Sequence, residues 1–440
     1  MGRYLSLVLL IIFQGLFSKA FAVDIPKSVM TMLHINPDDQ GGKDGRAFHI
    51  FDLEGGKDWI FPFADITGGP VDGQPVHTVL HPNKKVAYVT MSGNTTLPLR
   101  LLIIDLNWKN GVPKATLAQS VQILPAKTKD VSDAYCCRKK EMMGDPYTQE
   151  GHGPQITDDG KYLVFSVLTS NQLRVFDTES KKLVGTPISG SGLKGPHGFY
   201  PNPSATKAAT TQYEMNGDKV FILDFDKATG KASIKHVVKL VSNTKGKKVR
   251  GAYTHTIRWL DDTHFFVNAG QDPDQGTPNA FEASVWMVDL SGNKPKALLA
   301  VGKSKSAHGE DGVQEGVSDN AIANGKLYNA EGNFRKFLDG KLVPGSISVF
   351  KIDKNDPSKL SYVTRIKPRK IEEKACDKNE VCRNLPPDYS NAHELIRTPD
   401  EKFVFVTSFS SNYLLKIDTS NDSVAQVWFM KAPHGFYIQQ

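Results

Sequence analysis

The chain has 440 residues, 54 basic against 47 acidic side chains, a formal net charge of +7 and only four cysteines. The lysines are scattered through loops such as Lys245-Gly246-Lys247-Lys248 and form no basic stripe, which argues against nucleic-acid binding. After residue 22 no stretch is long or apolar enough to cross a bilayer as a helix.

The chain opens with Arg3, an apolar run from Leu5 to Phe17 and the small-residue motif Ala20-Phe21-Ala22, which reads as a secretory signal over residues 1–22. Residues 23–440 are then expected to be periplasmic or secreted, and the loss of Arg3 and Lys19 lowers the charge from +7 to +5. A mildly basic rim of this kind suits a small anionic substrate or an acidic redox partner. The mature length exceeds one ordinary domain unless the fold is repetitive.

Period-2 apolar runs then give strands nearly everywhere and no convincing amphipathic helix. Val29 to Ile35, Ala47 to Leu53 and Trp59 to Phe63 come first. Four-stranded units follow. The first runs from His77 through Lys85 to Met91, Leu99 to Leu106 and Thr116 to Leu124, and the second from His152 through Tyr162 to Leu168, Gln172 to Asp177 and Lys182 to Ile188. His197 heads Lys207 to Tyr213, Lys219 to Phe225 and Ala232 to Leu240, and His255 heads His264 to Ala269, Ser284 to Leu290 and Lys296 to Val301. A fifth unit, Ala321–Ile322, Lys326 to Ala330, Ser346 to Ile352 and Leu360 to Ile366, has no histidine at its head. His393 heads Lys402 to Ser408, Tyr413 to Asp418 and Ser423 to Phe429.

His434 begins one more first strand, Pro433 to Ile438, and its three missing strands are those at the N-terminal end. The expected fold is therefore all-β: a seven-bladed β-propeller whose last blade is closed by N- and C-terminal strands, which removes open sheet edges. Two stretches, Pro125 to Glu150 and Pro368 to Asn391, lie outside the blades as long loops over the histidine face.

The second of these loops carries Cys376 and Cys382, a spacing that closes a small ring, and an exported chain makes a disulfide there the expectation. Cys136 and Cys137 are adjacent, and either a strained vicinal bridge or pairing elsewhere is open.

His77, His152, His197, His255, His393 and His434 occupy the same place in six of seven units, so a propeller brings them to one axis. Six imidazoles packed together repel when protonated and leave many donors and acceptors to satisfy when neutral, and a bound cation relieves both problems. Imidazole-rich, thiolate-poor ligation suits copper, with zinc as the alternative; calcium and magnesium prefer oxygen. Glu331, Glu214 and His308 are placed near the same face as candidate acids or bases, with Glu150, Gln271, Asp272, Glu310, Asp311, Glu315 and Asn333 around them.

The heads Pro196-His197-Gly198-Phe199 and Pro433-His434-Gly435-Phe436, with turns such as Thr157-Asp158-Asp159-Gly160-Lys161, resemble the YVTN-type seven-bladed propellers. The axial histidines make the chain similar to the copper-bearing propellers of nitrous oxide reductase and thiocyanate dehydrogenase. That resemblance implies that the six histidines are metal ligands. The sequence ends at Gln440 without a cupredoxin-like domain or a Cys-x-x-Cys-His haem motif, so reduction of nitrous oxide is not expected and electrons would pass to a separate periplasmic carrier.

The expected function is a copper-dependent oxidoreductase acting on a small sulfur- or nitrogen-containing substrate. The alternatives are a non-catalytic propeller for protein interaction or metal storage, and a lactonase-like hydrolase. Gly190-Ser191-Gly192-Leu193-Lys194-Gly195 matches a dinucleotide fingerprint in letters only, since it leads into a strand and not a helix.

Overall fold

The computed structural model describes residues 25–34, 46–69, 73–94, 96–126, 149–213, 217–244, 247–251, 253–270, 283–302, 317–331, 345–367, 389, 392–408, 411–429 and 433–439. Their strands form seven four-stranded antiparallel sheets and one extra hairpin, Val241–Thr244 with Lys247–Arg250. The sheets are the blades of a seven-bladed β-propeller.

Blade 1 runs from the axis outward as Pro75–Leu80, Val86–Met91, Leu99–Lys109 and Val112–Leu124. Blades 2, 3 and 4 begin with Gly151–Ile156, Pro196–Pro201 and Thr254–Trp259, and blades 5 and 6 with Val317–Ala323 and Ala392–Arg397. Blade 7 closes the ring as expected. Its innermost strand is Pro433–Gln439, paired antiparallel with Val29–His34, which pairs in turn with Ala47–Asp52 and then Asp58–Pro62.

Burial explains the composition of each layer. Second strands are covered on both faces by neighbouring blades, so Tyr162–Val167 is apolar and buried at nearly every position. Outermost strands face water on one side, and Lys231–Lys239 alternates accordingly.

Each junction between blades has its own apolar core. Phe48 and Ile50 of blade 7 meet Val89 and Ile104 of blade 1, and Leu101 and Ile103 of blade 1 meet Leu163 and Phe165 of blade 2. Val164 and Leu173 pack on Phe221, and Val220 and Ile222 on Val267 and Trp286. Val285 and Met287 pack on Leu327 and Phe350, Tyr328 and Val349 on Val404 and Leu415, and Phe405 and Leu414 on Met30 and Met32. A fully buried Phe or Leu contributes roughly 1.5–3 kcal/mol, so stability is shared around the ring.

Strand ends differ from the sequence reading in places, such as Lys182–Leu183 where Lys182 to Ile188 is expected, and two differences concern how elements begin. Phe63 begins a short helix, Phe63–Thr67, instead of ending a strand, because Phe63 and Ile66 turn inward together against blade 1. The inner strand of blade 5 starts at Val317 and not at Ala321. Its first residues, Ser318, Asp319 and Asn320, are polar yet buried, so the apolar alternation is missing there. No helix among the described residues is long and apolar enough to cross a membrane.

Candidate functional site

The innermost strand of every blade carries a β-bulge at its head. In blade 2 the register slips between His152 and Gln155, in blade 3 between His197 and Tyr200, and in blade 4 between Thr254 and Ile257. Blades 1, 5, 6 and 7 slip at the corresponding point. One extra residue there re-aims the side chain beside it, which turns the histidines away from the pleat.

Glycine after the histidine serves the same geometry. Gly153, Gly198 and Gly435 have φ of +49°, +81° and +59°. A Cβ on Gly153 would lie 2.5 Å from Cα of Gly198, and one on Gly435 would lie 2.6 Å from the carbonyl oxygen of Val76. Blades approach there backbone to backbone, and only glycine fits.

The result is an arc of imidazoles. Ring centroids are 4.8 Å apart for His77 and His152, 4.7 Å for His152 and His197, 4.0 Å for His197 and His255, and 5.9 Å for His255 and His393. Five of the six predicted histidines are thus gathered. His434 begins the inner strand of blade 7, and its side chain lies outside the described residues.

Hydrogen bonds divide the arc into two halves. Nδ1 of His197 is 3.1 Å from the carbonyl oxygen of His255, and Nδ1 of His255 contacts the carbonyl oxygen of Ser318. A carbonyl only accepts, so both Nδ1 atoms carry hydrogen, and in a neutral ring that leaves the lone pair on Nε2. Nε2 of His255 is buried without a hydrogen-bond partner. Burial, then the neighbouring His255 and His152, holds the pKa of His197 well below the ordinary histidine value, so it is neutral. Neutral imidazoles with a fixed Nδ1–H present Nε2 as metal ligands do.

The other half is a chain of acid and base groups. His77 Nε2 lies 3.0 Å from His152 Nδ1, and His152 Nε2 lies 2.9 Å from Glu150 Oε2. The carboxylate accepts from His152 Nε2–H, and one hydrogen lies between His152 Nδ1 and His77 Nε2. At the far side Glu394 Oε1 is 3.7 Å from His77 Nδ1 and 3.9 Å from His393 Nδ1, while its Oε2 accepts the Gly435 N–H at 2.8 Å.

Blade 5 supplies Ser318 where the others supply histidine, since its carbonyl receives His255 as that of His255 receives His197. Beside it Asp319 accepts Arg258 at 2.8 Å, and Arg258 also donates to the carbonyl oxygen of Leu395, tying the inner strands of blades 4, 5 and 6 together. Tyr213 covers the arc, its ring 5.1 Å from those of both His197 and His255, and Tyr253 packs against it. A recess of about 250 Å³ lined by Pro82, Asp158, Pro399 and Tyr437 lies at the opposite ends of the inner strands, away from the imidazoles.

The donor set is of the chemical kind that suits a borderline metal ion such as copper or zinc, and Nε2 of His255 is buried without a hydrogen-bond partner. Among the described residues no three His, Cys, Asp or Glu side chains already converge to hold an ion. His77 Nε2 and His152 Nδ1 are hydrogen-bonded to each other, so ligation through these two atoms would require that bond to open.

Of the expected acids and bases, Glu331 is buried in blade 5, where Ser346 at 3.0 Å and Arg365 at 3.3 Å engage its carboxylate. Burial raises its pKa, against the opposing effects of Arg365, Ser348 and Ser346. Glu214 and His308 lie outside the described residues, as do Gln271, Asp272, Glu310, Asp311, Glu315, Asn333, the four cysteines and residues 1–22. Sequence reasoning passed over Glu394 as a site residue, although it stands where blades 2, 3 and 7 have glycine after the histidine. Nothing in the sequence marked Tyr213, whose position over the arc depends on the junction of blades 3 and 4.

These features define a seven-bladed β-propeller with an axial imidazole cluster. No protein-family model and no curated protein sequence matches the chain. Solved structures match throughout its length at low identity. The periplasmic gluconolactonase of Pseudomonas aeruginosa is 13% identical with a TM-score of 0.57, covering 94% of this chain and 99% of that one. A candidate 6-phosphogluconolactonase of Bacteroides fragilis is 11% identical at 0.58, covering 96% and 100%. A hypothetical selenium-binding protein of Sulfolobus tokodaii is 13% identical at 0.60, covering 95% of both. At such identities the likeness establishes the propeller fold.

Proposed function

We propose that this chain is an exported metal-binding propeller whose axial imidazoles hold copper and act on a small sulfur- or nitrogen-containing substrate. The observation that carries this reading is the pair His197 and His255, both buried with Nδ1 held by a backbone carbonyl so that Nε2 is the remaining ring donor atom, that of His255 lacking a hydrogen-bond partner. His77, His152, His393 and His434 would complete the ligand set, with zinc as the alternative ion. Bound copper supplies a one-electron acceptor. The Glu150 carboxylate, 2.9 Å from His152 Nε2, is the group placed to take up the proton that substrate oxidation releases. A separate periplasmic carrier would remove the electrons.

The second reading is lactone hydrolysis, and the named propeller relatives favour it over copper oxidation. The same Glu150–His152 pair supports it from the site itself, because a carboxylate-oriented imidazole is a general base for water. A divalent ion on the remaining imidazoles would polarise the carbonyl.

The test uses the full mature chain. Copper loading followed by visible and EPR spectra should show nitrogen hyperfine structure that disappears in the His197→Ala/His255→Ala double variant. Gluconolactone hydrolysis is assayed in parallel, with Glu150→Gln expected to lower kcat by roughly 10²–10⁴ if the hydrolytic reading holds. Unchanged copper signals in the double variant reject the axial site, and lactone turnover without a copper signal replaces the first reading with the second.

A further inference from the structure

Adjacent blades are fastened near the axis by short polar links. Thr90 Oγ1 donates to the carbonyl oxygen of Gly151 at 2.8 Å, Ser166 Oγ accepts the Gly198 N–H at 2.9 Å, and Thr211 Oγ1 donates to the carbonyl oxygen of His255 at 2.9 Å. Ser318 Oγ reaches the carbonyl oxygen of Ala392, and Glu394 receives Gly435. The junction of blades 4 and 5 is built differently. There Nδ2 of Asn320 donates to Oδ1 of Asn268, and Asn329 stands directly opposite Asn320 in the sheet register.

All three asparagines are fully buried at 0% exposure. Each keeps one side-chain atom without a partner: Nδ2 of Asn268, Oδ1 of Asn320 and Oδ1 of Asn329. Leaving one such atom unsatisfied costs roughly 1–3 kcal/mol, and native interiors satisfy nearly all of them. The three requirements are complementary, namely one donor and two acceptors.

We propose that the junction of blades 4 and 5 binds one internal water molecule, which accepts from Asn268 Nδ2 and donates to Asn320 Oδ1 and Asn329 Oδ1. A cation is disfavoured by the amide hydrogens of Asn268 and an anion by the two carbonyl oxygens, so the ligand is water. Directly opposite residues in an antiparallel pair have Cβ atoms about 4.5–5.5 Å apart, a span that one water bridges.

This water is the inner end of a buried polar row. Asn329 Nδ2 lies 3.4 Å from Ser348 Oγ, Ser348 bonds Glu331, and Glu331 pairs with Arg365. At the inner end Asn320 lies two residues from Ser318, whose carbonyl fixes the tautomer of His255. The water therefore sets the position of the blade that lacks a histidine, and through it the aim of the last imidazole before the gap. The proposal is independent of which ion or reaction the axis supports.

A high-resolution crystal structure of the metal-free mature protein should show a density peak within hydrogen-bond distance of all three amide atoms. Oxygen-17 magnetic relaxation dispersion should count one fewer long-lived water in Asn329→Leu than in the wild type, and in that variant the His255 Nδ1 resonance should shift while that of His77 holds. An empty junction with the amides re-paired among themselves, or an equal water count in the folded variant, overturns the proposal. If Asn329→Leu does not fold, the wild-type density decides alone.

Discussion

Nδ1 of His197 lies 3.1 Å from the carbonyl oxygen of His255, so the ring on one blade is aimed by the backbone of the next. His255 repeats the arrangement on Ser318. The chain of dependence means that the aim of these rings is a property of blade-to-blade packing as much as of residue type.

Removing both of these imidazoles should weaken copper binding by more than about 100-fold, or roughly 2.7 kcal/mol, while circular dichroism remains that of an intact propeller. Metal content after dialysis measures it. Full copper stoichiometry in the His197→Ala/His255→Ala protein would sink the axial assignment.

The close approach of blades 2 and 3 makes Gly153→Ala costly. Its φ of +49° and the 2.5 Å approach of a Cβ to Gly198 together should destabilise the fold by about 1–3 kcal/mol. Denaturant titration reads the effect, and a midpoint equal to that of the wild type would mean that the two backbones are not in contact.

Ring closure predicts a larger effect. Deleting residues 433–440 removes the innermost strand of blade 7, leaves Val29–His34 unpaired on one side and takes away the Gly435 link to Glu394. The truncated chain should melt at lower temperature and bind a hydrophobic dye. Equal melting temperatures are the contrary result.

His81 gives a pH dependence away from the axis. Burial lowers its pKa, against opposing hydrogen bonds from Asn83 and Gly160 and the charge of Asp159. The unfolded chain therefore takes up this proton first as pH falls through about 6.5, so the contribution is intact above that value and is lost on acidification toward the folded pKa. His81→Gln should show a shallower fall in melting temperature than the wild type between about pH 7.5 and pH 5.5. Parallel curves for the two proteins would remove His81 as a cause.

For the cysteines the expectation from the sequence is that Cys376 is bonded to Cys382 in the exported form. Alkylation of denatured, unreduced protein should leave both unlabelled, and stoichiometric labelling of either one is the result that contradicts it.

The sequence by itself determined the repeat, its phase and the closure. Strands such as Tyr162–Val167 are apolar at nearly every position because they lie between two neighbours, and turns such as Asp158-Asp159-Gly160 punctuate them, so periodicity reported the blades directly. Equivalent register likewise placed His77, His152, His197, His255 and His393 together. Only the tertiary structure decided what those rings do with their nitrogens. Each Nδ1 partner of His197 and His255 is a backbone carbonyl of another blade, and a backbone group leaves no mark in the choice of residue. Glu331 joined Arg365, and Glu394 joined His77, through contacts made across strands or blades, which local spacing does not encode. The polar start of blade 5 escaped the periodic reading for the same reason: Asp319 and Asn320 are buried against Arg258 and Asn268, partners contributed by the neighbouring blade.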